Sequence, residues 1–413
     1  MAPSINNLPT NVLLEILYKL PQNLIHRCKS VCKLWLSLVS RPCFPAQYLL
    51  RTELTPPPNP TVYFFMYRST NFTTFPLRHA TYDDHHKSWS LDSPALSFAF
   101  LPLPEPAPRL LCTSNGLALC TTSYDCECVY YVCNPITKHW LTLPPPPTCT
   151  TFALVGLVSY GHHFKVVRLV SPCTYTYRMT RIITSSFNAE TFDSRTNLWK
   201  VSPLITIPRP VLFCKPTNVV EYKGILYWDS TKIDLTASTI MSFDPNLEKF
   251  TLTQVLEYRT SYRGASATGV SRSGEGLYHV HMKKEPDWSA VNWRIWRLVD
   301  DDDEWCLEHT VKTKDMNLMV DGNCITPDYG FYMLAIDPID PNVLYFHIRH
   351  LFEPRLDSGI ISLNIKTGRA NSVHFPYYGH DLQPIIFEYR ELMAIPFVTP
   401  RWPTSLPKMH HKE

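Results

Sequence analysis

The sequence predicts an α+β protein by domains: a small head of three helices, then an all-β body arranged as a propeller, with six blades expected. Three observations lead there. Apolar residues recur at three- and four-residue spacing between residues 8 and 50, the signature of short amphipathic helices. A proline cluster, Leu54-Thr-Pro-Pro-Pro-Asn-Pro60, then interrupts the chain as a semi-rigid spacer. Beyond residue 61 a strand–turn–strand unit recurs about every 50 residues, the spacing of propeller blades. The expected division is residues 1–50 for the head, 51–61 for the proline-rich linker, 62–400 for the propeller and 401–413 for a polar tail.

In the head, Val12, Leu13, Ile16, Leu17 and Leu20 form one face of a first helix. Thr10 or Asn11 is expected to cap its start, Pro9 suits a first turn, and Pro21 stops it. Asn23 is expected to cap a second helix carrying Ile25 and Cys28. Val31, Cys32, Trp35, Leu38 and Val39 make a third set, ended by Arg41-Pro42. So small a bundle has too little interior to bury all these groups. Part of its surface is expected to be covered, either by another chain or by the chain's own body.

In the body the clearest repeat is Tyr130-Tyr-Val-Cys-Asn-Pro-Ile-Thr-Lys-His-Trp140. Related units end at residues 89, 199, 250, 305 and 373. Asn or Asp opens most of the turns, because its side chain bonds the backbone two residues on. Strand pairs precede several units, at Leu110–Cys120, Val219–Trp228 and Gly269–His281, giving four strands per period. Glu388–Phe397 has no hairpin partner nearby and is expected to complete the first blade, pairing the two ends of the chain and removing open edges.

Composition bounds the function. With 45% hydrophobic and 18% charged residues among 413, the chain has ample material for a core and is not of the disordered class. Its longest apolar stretch, Phe152–Val158, is far short of the roughly 18 residues of a membrane span, and residues 1–20 lack the apolar core of a secretory signal. No membrane association is expected. Thirteen cysteines cannot all pair within one chain, so free thiols in a reducing compartment, cytoplasmic and/or nuclear, are expected. Formal charge is +3, yet the first fifty residues hold Lys19, Arg27, Lys29, Lys33 and Arg41 against Glu15 alone. The near-neutral body lacks the cationic footprint of a nucleic-acid binder.

The segment Leu8-Pro-Thr-Asn-Val-Leu-Leu-Glu-Ile-Leu-Tyr-Lys-Leu-Pro21, followed by Arg27-Cys-Lys-Ser-Val-Cys-Lys-Leu-Trp35 and Leu38-Val-Ser-Arg-Pro-Cys-Phe44, closely resembles the F-box. That resemblance implies docking on the Skp adaptor of Skp–cullin–F-box ubiquitin ligases and, through it, association with the cullin and RING subunits. It implies that Leu8, Pro9, Leu13, Ile16, Leu20, Pro21, Ile25, Val31, Cys32 and Trp35 carry the adaptor interface or its supporting core. The body resembles the F-box-associated, kelch-like β-propeller region of plant F-box proteins through Ser114-Asn-Gly116, Val132-Cys-Asn-Pro135, Trp140 with Leu143-Pro-Pro145, and Phe164-Lys-Val-Val-Arg168.

The resemblance implies a substrate-recognition subunit that holds a target protein near transfer machinery on other subunits, with no catalytic residue of its own. Target contacts are expected on loops at one propeller face. The richest segments are Pro172–Arg181, with Tyr175, Tyr177, Arg178 and Arg181, and Pro286–Trp293, with Trp288 and Trp293. A scaffold that binds the adaptor without presenting targets, and a propeller enzyme or metal protein, are the alternatives.

No cofactor or metal is expected. Cys126 and Cys128 sit near Cys133, but no second ligand pair follows at fixed spacing. His279 and His281 share a strand face and make only half a site. No nucleophile elbow, phosphate loop or dinucleotide glycine pattern is present.

Overall fold

The computed structural model describes residues 8–48 (apart from 21, 42 and 46), 62–68, 78–83, 88–90, 98, 100–102, 109–122, 129–149, 153–171 (apart from 162), 175–177, 181–214, 219–232, 237–257, 267–273, 276–284, 291–299, 304–312, 319–320, 323–324, 329–350 (apart from 339), 359–373, 392–398 and 406. Among these, no helix is long and apolar enough to cross a membrane.

The head is three helices: α1 (Thr10–Lys19), α2 (Gln22–Cys28) and α3 (Lys33–Val39). Neither Thr10 nor Asn11 caps α1. Pro9 holds the cap position in an extended conformation with ψ 145°, its carbonyl accepts from Leu13 N at 3.1 Å, and no side chain caps the turn. Asn23 likewise falls inside α2 rather than before it. Leu13, Leu17, Ile25, Cys28, Trp35, Leu38 and Val39 bury into one core, which Phe44 and Tyr48 complete. Phe44 stacks on Tyr18 with ring centroids 4.9 Å apart, and Tyr48 OH donates to the Leu20 carbonyl at 2.9 Å, closing the end of α1.

The body opens with β1 (Val62–Arg68), β2 (Arg78–Asp83) and β3 (Ser88–Ser90), followed by a sheet of β4 (Arg109–Ser114), β5 (Leu117–Thr121), β6 (Tyr130–Asn134) and β7 (His139–Thr142). A ten-stranded sheet then holds β8 (Ala153–Ser159), β9 (Phe164–Val170), β10 (Tyr175–Tyr177), β11 (Arg181–Asp193), β12 (Leu198–Val201), β13 (Ile205–Cys214), β14 (Val219–Tyr222), β15 (Ile225–Lys232), β16 (Ala237–Asp244) and β17 (Lys249–Glu257). Next comes a sheet of β18 (Ala267–Ser273), β19 (Gly276–Lys284), β20 (Val291–Val299) and β21 (Glu304–Lys312). A small ribbon of β22 (Met319–Val320) and β23 (Asn323–Cys324) precedes β24 (Tyr329–Ile336), β25 (Val343–His350), β26 (Gly359–Asn364) and β27 (Arg369–Val373). The last strand, β28 (Leu392–Val398), returns to the first sheet and runs antiparallel to β1 from Val62↔Val398 to Arg68↔Leu392. This is the expected closure. The innermost strands touch in the order β28, β4, β8, β14, β18, β24 and back to β28, forming a ring.

Six separate blades were expected, and the strands form five sheets of four or more strands instead. The ten-stranded sheet holds two four-strand meanders, β8-β9-β11-β12 and β14-β15-β16-β17, joined by β13. β11 runs for 13 residues and overshoots its blade. Its first half pairs with β13 from Arg181↔Cys214 to Thr184↔Val211, and β13 then pairs with β15 at Val211↔Lys232 and Leu212↔Thr231. A connector that is itself a strand fuses neighbouring blades, and a repeat count along the sequence does not register it.

The turns behave as their chemistry dictates. Asn134 Oδ1 accepts from Ile136 N and Thr137 N, Asp244 Oδ1 from Asn246 N and Leu247 N, and Asn364 Oδ1 from Lys366 N and Thr367 N. Asp193 Oδ1 accepts from Arg195 N in the same way. Four residues after each opener the backbone turns left-handed, at Lys138 (φ 58°), Asn197 (φ 58°), Glu248 (φ 53°) and Gly368 (φ 67°). Gly368 takes this conformation freely and Asn197 tolerates it, whereas Lys138 and Glu248 are strained there.

Blades are joined through their strand faces, and β9 shows how. All seven of its residues are buried, including Lys165 and Arg168, which alternate onto opposite faces. Arg168 pairs with Glu190 across the β9–β11 ladder, both side chains fully buried. Its guanidinium also donates to the Thr148 carbonyl at 3.1 Å and lies 5.6 Å from the centre of the Tyr130 ring in the preceding blade. On the other face, Lys165 Nζ donates to the Pro245 carbonyl at 2.9 Å and to Asn246 Oδ1 at 2.8 Å in the following blade. Ser114 links three innermost strands, accepting from Ser159 N at 2.9 Å and donating to Glu221 at 3.3 Å.

Two stability predictions follow from these contacts. Arg168→Met strands a buried carboxylate and should cost about 3–5 kcal/mol, while pairing it with Glu190→Leu should recover much of that loss. Chemical denaturation of both variants measures it, and equal losses would contradict the coupling. Lys138→Gly should raise stability by about 0.5–1 kcal/mol by relieving left-handed strain, read as a higher thermal midpoint.

Candidate interaction surfaces

The helical head separates the expected adaptor residues into two groups. Leu13, Ile25 and Trp35 are buried at 7% exposure or less and form the head's own core. Ile16, Leu20 and Cys32 are half-buried. Leu8, Pro9 and Val31 are exposed, Val31 at 58%. Pro21 lies outside the described residues. Sequence reasoning missed further exposed apolar positions, Leu24, Leu34 and Leu36, and did not separate Val12 from the buried stripe beside it. Val12 and Ile16, at four-residue spacing, line one flank of α1, with Leu13 and Leu17 on the buried flank and the exposed Leu8 just before the helix. Among the described residues, six of the thirteen exposed large hydrophobics fall between Leu8 and Leu36. Singly scattered apolar residues need no explanation, but this density in so short a segment marks an interaction surface.

The body has two faces that differ in kind. In an antiparallel meander the first and third turns of each blade leave from one end and the second from the other. The tight turns at Ser114–Leu117, Tyr222–Ile225, Asn134–His139, Asp193–Leu198, Asp244–Lys249 and Asn364–Arg369 therefore share one face. The strand ends that lead into and out of the two candidate target segments, at Val170 and Arg181 and at Lys284 and Val291, lie at the opposite ends of their strands.

Tyr175 and Tyr177 occupy β10, and Arg181 opens β11 opposite Tyr177. Arg178 and Trp288 lie outside the described residues. Trp293 does not belong to a binding surface. It has no exposure, stacks on Phe346 at 4.8 Å, and anchors the core between two blades. An aromatic-rich loop end signals an interface anchor and a core residue equally, and here β20 carries Trp293 inward.

Of the residues considered for metal chemistry, Cys133, His279 and His281 are buried within the body. Cys133 is fully buried, beside Cys120, and Cys126 and Cys128 lie outside the described residues. Burial pushes the Cys112 thiol up to about 12, and burial, then the hydrogen bond to Cys133, raises Cys120. Burial thus disfavours the thiolate form of Cys112 and of Cys120. His279 and His281 are buried on one face of β19, with His279 Nε2 3.4 Å from Asp229 Oδ1 and its ring edge-on to Trp305. Among the described residues, no group of three or more His, Cys, Asp or Glu is placed to hold a metal ion.

Two measurements check this division. Val31→Asp should leave the head's helical circular dichroism intact, whereas Leu13→Asp buries an unpaired charge and should cost about 3 kcal/mol or more. Iodoacetamide at pH 8 should label the exposed Cys43, Cys149 and Cys306 in the native chain and spare Cys112, Cys120 and Cys133, as mapped by mass spectrometry. Rapid labelling of Cys112 would contradict its burial.

Comparison with known proteins agrees with both parts. Residues 5–47 match the F-box domain, and residues 84–408 match the family described as F-box protein At3g26010-like, beta-propeller. F-box protein At5g07610 of Arabidopsis thaliana is 22% identical over 73% of this chain and 69% of its own length. The putative F-box/kelch-repeat protein At1g15680 of the same plant is 22% identical over 97% of this chain and 95% of its own. Among solved structures, an α-L-arabinanase of Penicillium chrysogenum aligns with 65% of this chain and 82% of its own at 12% identity, with a TM-score of 0.36. That score is too low for any function to follow from it. The helical head and the closed ring of sheets are thus the two parts of one recognised architecture, and the chain belongs to the F-box proteins that carry an At3g26010-like β-propeller.

Proposed function

We propose that this chain is the substrate-recognition subunit of a Skp–cullin–F-box ubiquitin ligase. The head docks a Skp-family adaptor and the propeller holds a target protein, so that ubiquitin is transferred by other subunits. The concentration of exposed apolar residues on an otherwise well-packed helical head carries this reading. The head needs no foreign chain to build its core, because Leu13, Leu17, Trp35, Phe44 and Tyr48 already fill it. What remains outside, from Leu8 to Leu36, is surplus for folding and suited to burial against a partner. The basic excess of the first fifty residues favours an acidic adaptor and should act chiefly on the association rate.

The contribution to chemistry is proximity. A receptor that grips the target turns a bimolecular encounter into an intramolecular one, and no nucleophile or metal of its own is required. The compartment proposed is the cytoplasm or nucleus, where buried free thiols such as Cys112 and Cys133 stay reduced.

Co-purification with a Skp-family adaptor tests the reading. The native chain should retain adaptor and cullin together. The double variant Val31→Asp, Leu36→Asp should lose adaptor affinity by about 100-fold or more, corresponding to two desolvated apolar anchors, with the head still helical. Adaptor retention by that variant, or an adaptor complex that excludes cullin, would overturn the proposal.

A further inference from the structure

Residues 401–413 read as a polar tail in the sequence, yet the tail supplies a core contact. Leu406 is half-buried and packs against the apolar core that runs from β4 to the ten-stranded sheet. That core takes in Cys112, Leu117, Leu119, Tyr130 and Val132 of the blade β4–β7, together with Leu157, Phe164 and Trp228 beyond it. The tail therefore does not end at the seam where β28 pairs with β1, but reaches a part of the body past the next blade.

The blade β4–β7 fixes the geometry, because successive residues of its strands point to opposite faces. Register puts Ala118 opposite Cys133 and Cys120 opposite Tyr131 on one face, and Leu119 opposite Val132 on the other. The first face packs with the buried Ile395 of β28. The second belongs to the core that Leu406 joins. Ile395 and Leu406 thus hold one blade from both sides. The eight residues from Val398 to Leu406 span at most about 28 Å, ample to pass one sheet at the roughly 10 Å spacing of packed sheets.

We propose that the C-terminal segment is a strap, a second fastening of the ring that keeps β28 in place by seating Leu406 beyond the neighbouring blade. When β28 parts from β1 with Leu406 still seated, the strand stays within the reach of its tether, so its effective concentration at the seam is high and it re-pairs quickly. The seam opens for long only when both fastenings fail. Ile395 is 3% exposed whereas Leu406 is only half-buried, so the strap is the fastening that releases first and sets how often the ring opens. This inference concerns the body alone and does not rest on the receptor reading.

Hydrogen–deuterium exchange of the full chain, read by mass spectrometry at residues 62–68 and 392–398, tests it. Leu406→Asp should speed exchange at this seam about tenfold or more, and Leu406→Ala should do so several-fold in a chain with a milder defect. Leu406→Met, which keeps volume and apolarity, and a chain ending at Pro407 should both exchange as the native chain does. Leu252→Ala is the control for general loosening, since Leu252 of β17 packs against the same core without belonging to the tail. It should speed exchange within β16 and β17 and leave the seam at its native rate. A seam indifferent to Leu406→Asp and Leu406→Ala, a seam equally sensitive to Leu252→Ala, or one loosened by removing residues 408–413 alone would overturn the proposal.

Discussion

The pairing of β28 with β1 is the constraint on which the body depends. Seven successive register pairs, Val62↔Val398 to Arg68↔Leu392, make the first sheet from both ends of the propeller sequence. Without them the ring of innermost strands has no contact from β24 through β28 to β4 and opens at one position. An open ring exposes two strand faces that are otherwise covered, and sheets in that condition associate with whatever edge they meet. Once the ring is closed, each sheet is held by two neighbours, so one strand can bury both of its faces. β9 does so completely, and this explains how a strand tolerates Lys165 and Arg168 in its interior: each charge reaches a partner in, or anchored by, an adjoining blade.

Much of the architecture was legible because it is local. The alternation from helical to strand spacing is carried by neighbouring residues, and the repeated Asn or Asp openers form bonds two and three residues on, so Asn134, Asp193, Asp244 and Asn364 announce their turns in any context. The motif residues of the body also acquire physical meaning. Ser114-Asn-Gly116 is a tight hairpin with φ 43° at Asn115 and 76° at Gly116, whose serine ties three blades together.

What escaped the sequence depends on tertiary placement. Leu13 and Val12 are adjacent and equally apolar, yet one is fully buried and the other 39% exposed, because neighbouring positions on a helix point about 100° apart. Phe44 and Tyr48 follow the last expected helix and give no periodic signal, but they seal the head's core. The fused sheet was invisible because Pro208 and Pro210 within β13 read as a connector, while its pairing with β11 spans about 30 residues of chain. Trp293 was misassigned for a related reason: composition does not report which way a strand carries its aromatic.

The return of the last strand to the first also dictates the order in which the molecule is completed. The head's core is finished by Tyr48, whereas β28 ends at Val398. At translation speeds of roughly 5–20 residues per second, about 20–70 s separate the two events. During that interval the helices have left the ribosome with their outer apolar residues ready for a partner, while the propeller waits for its final strand. An assembly begun on the nascent chain would thus be anchored before its receptor could grip anything, and a premature stop upstream of Leu392 would yield a competent head joined to a ring with no clasp.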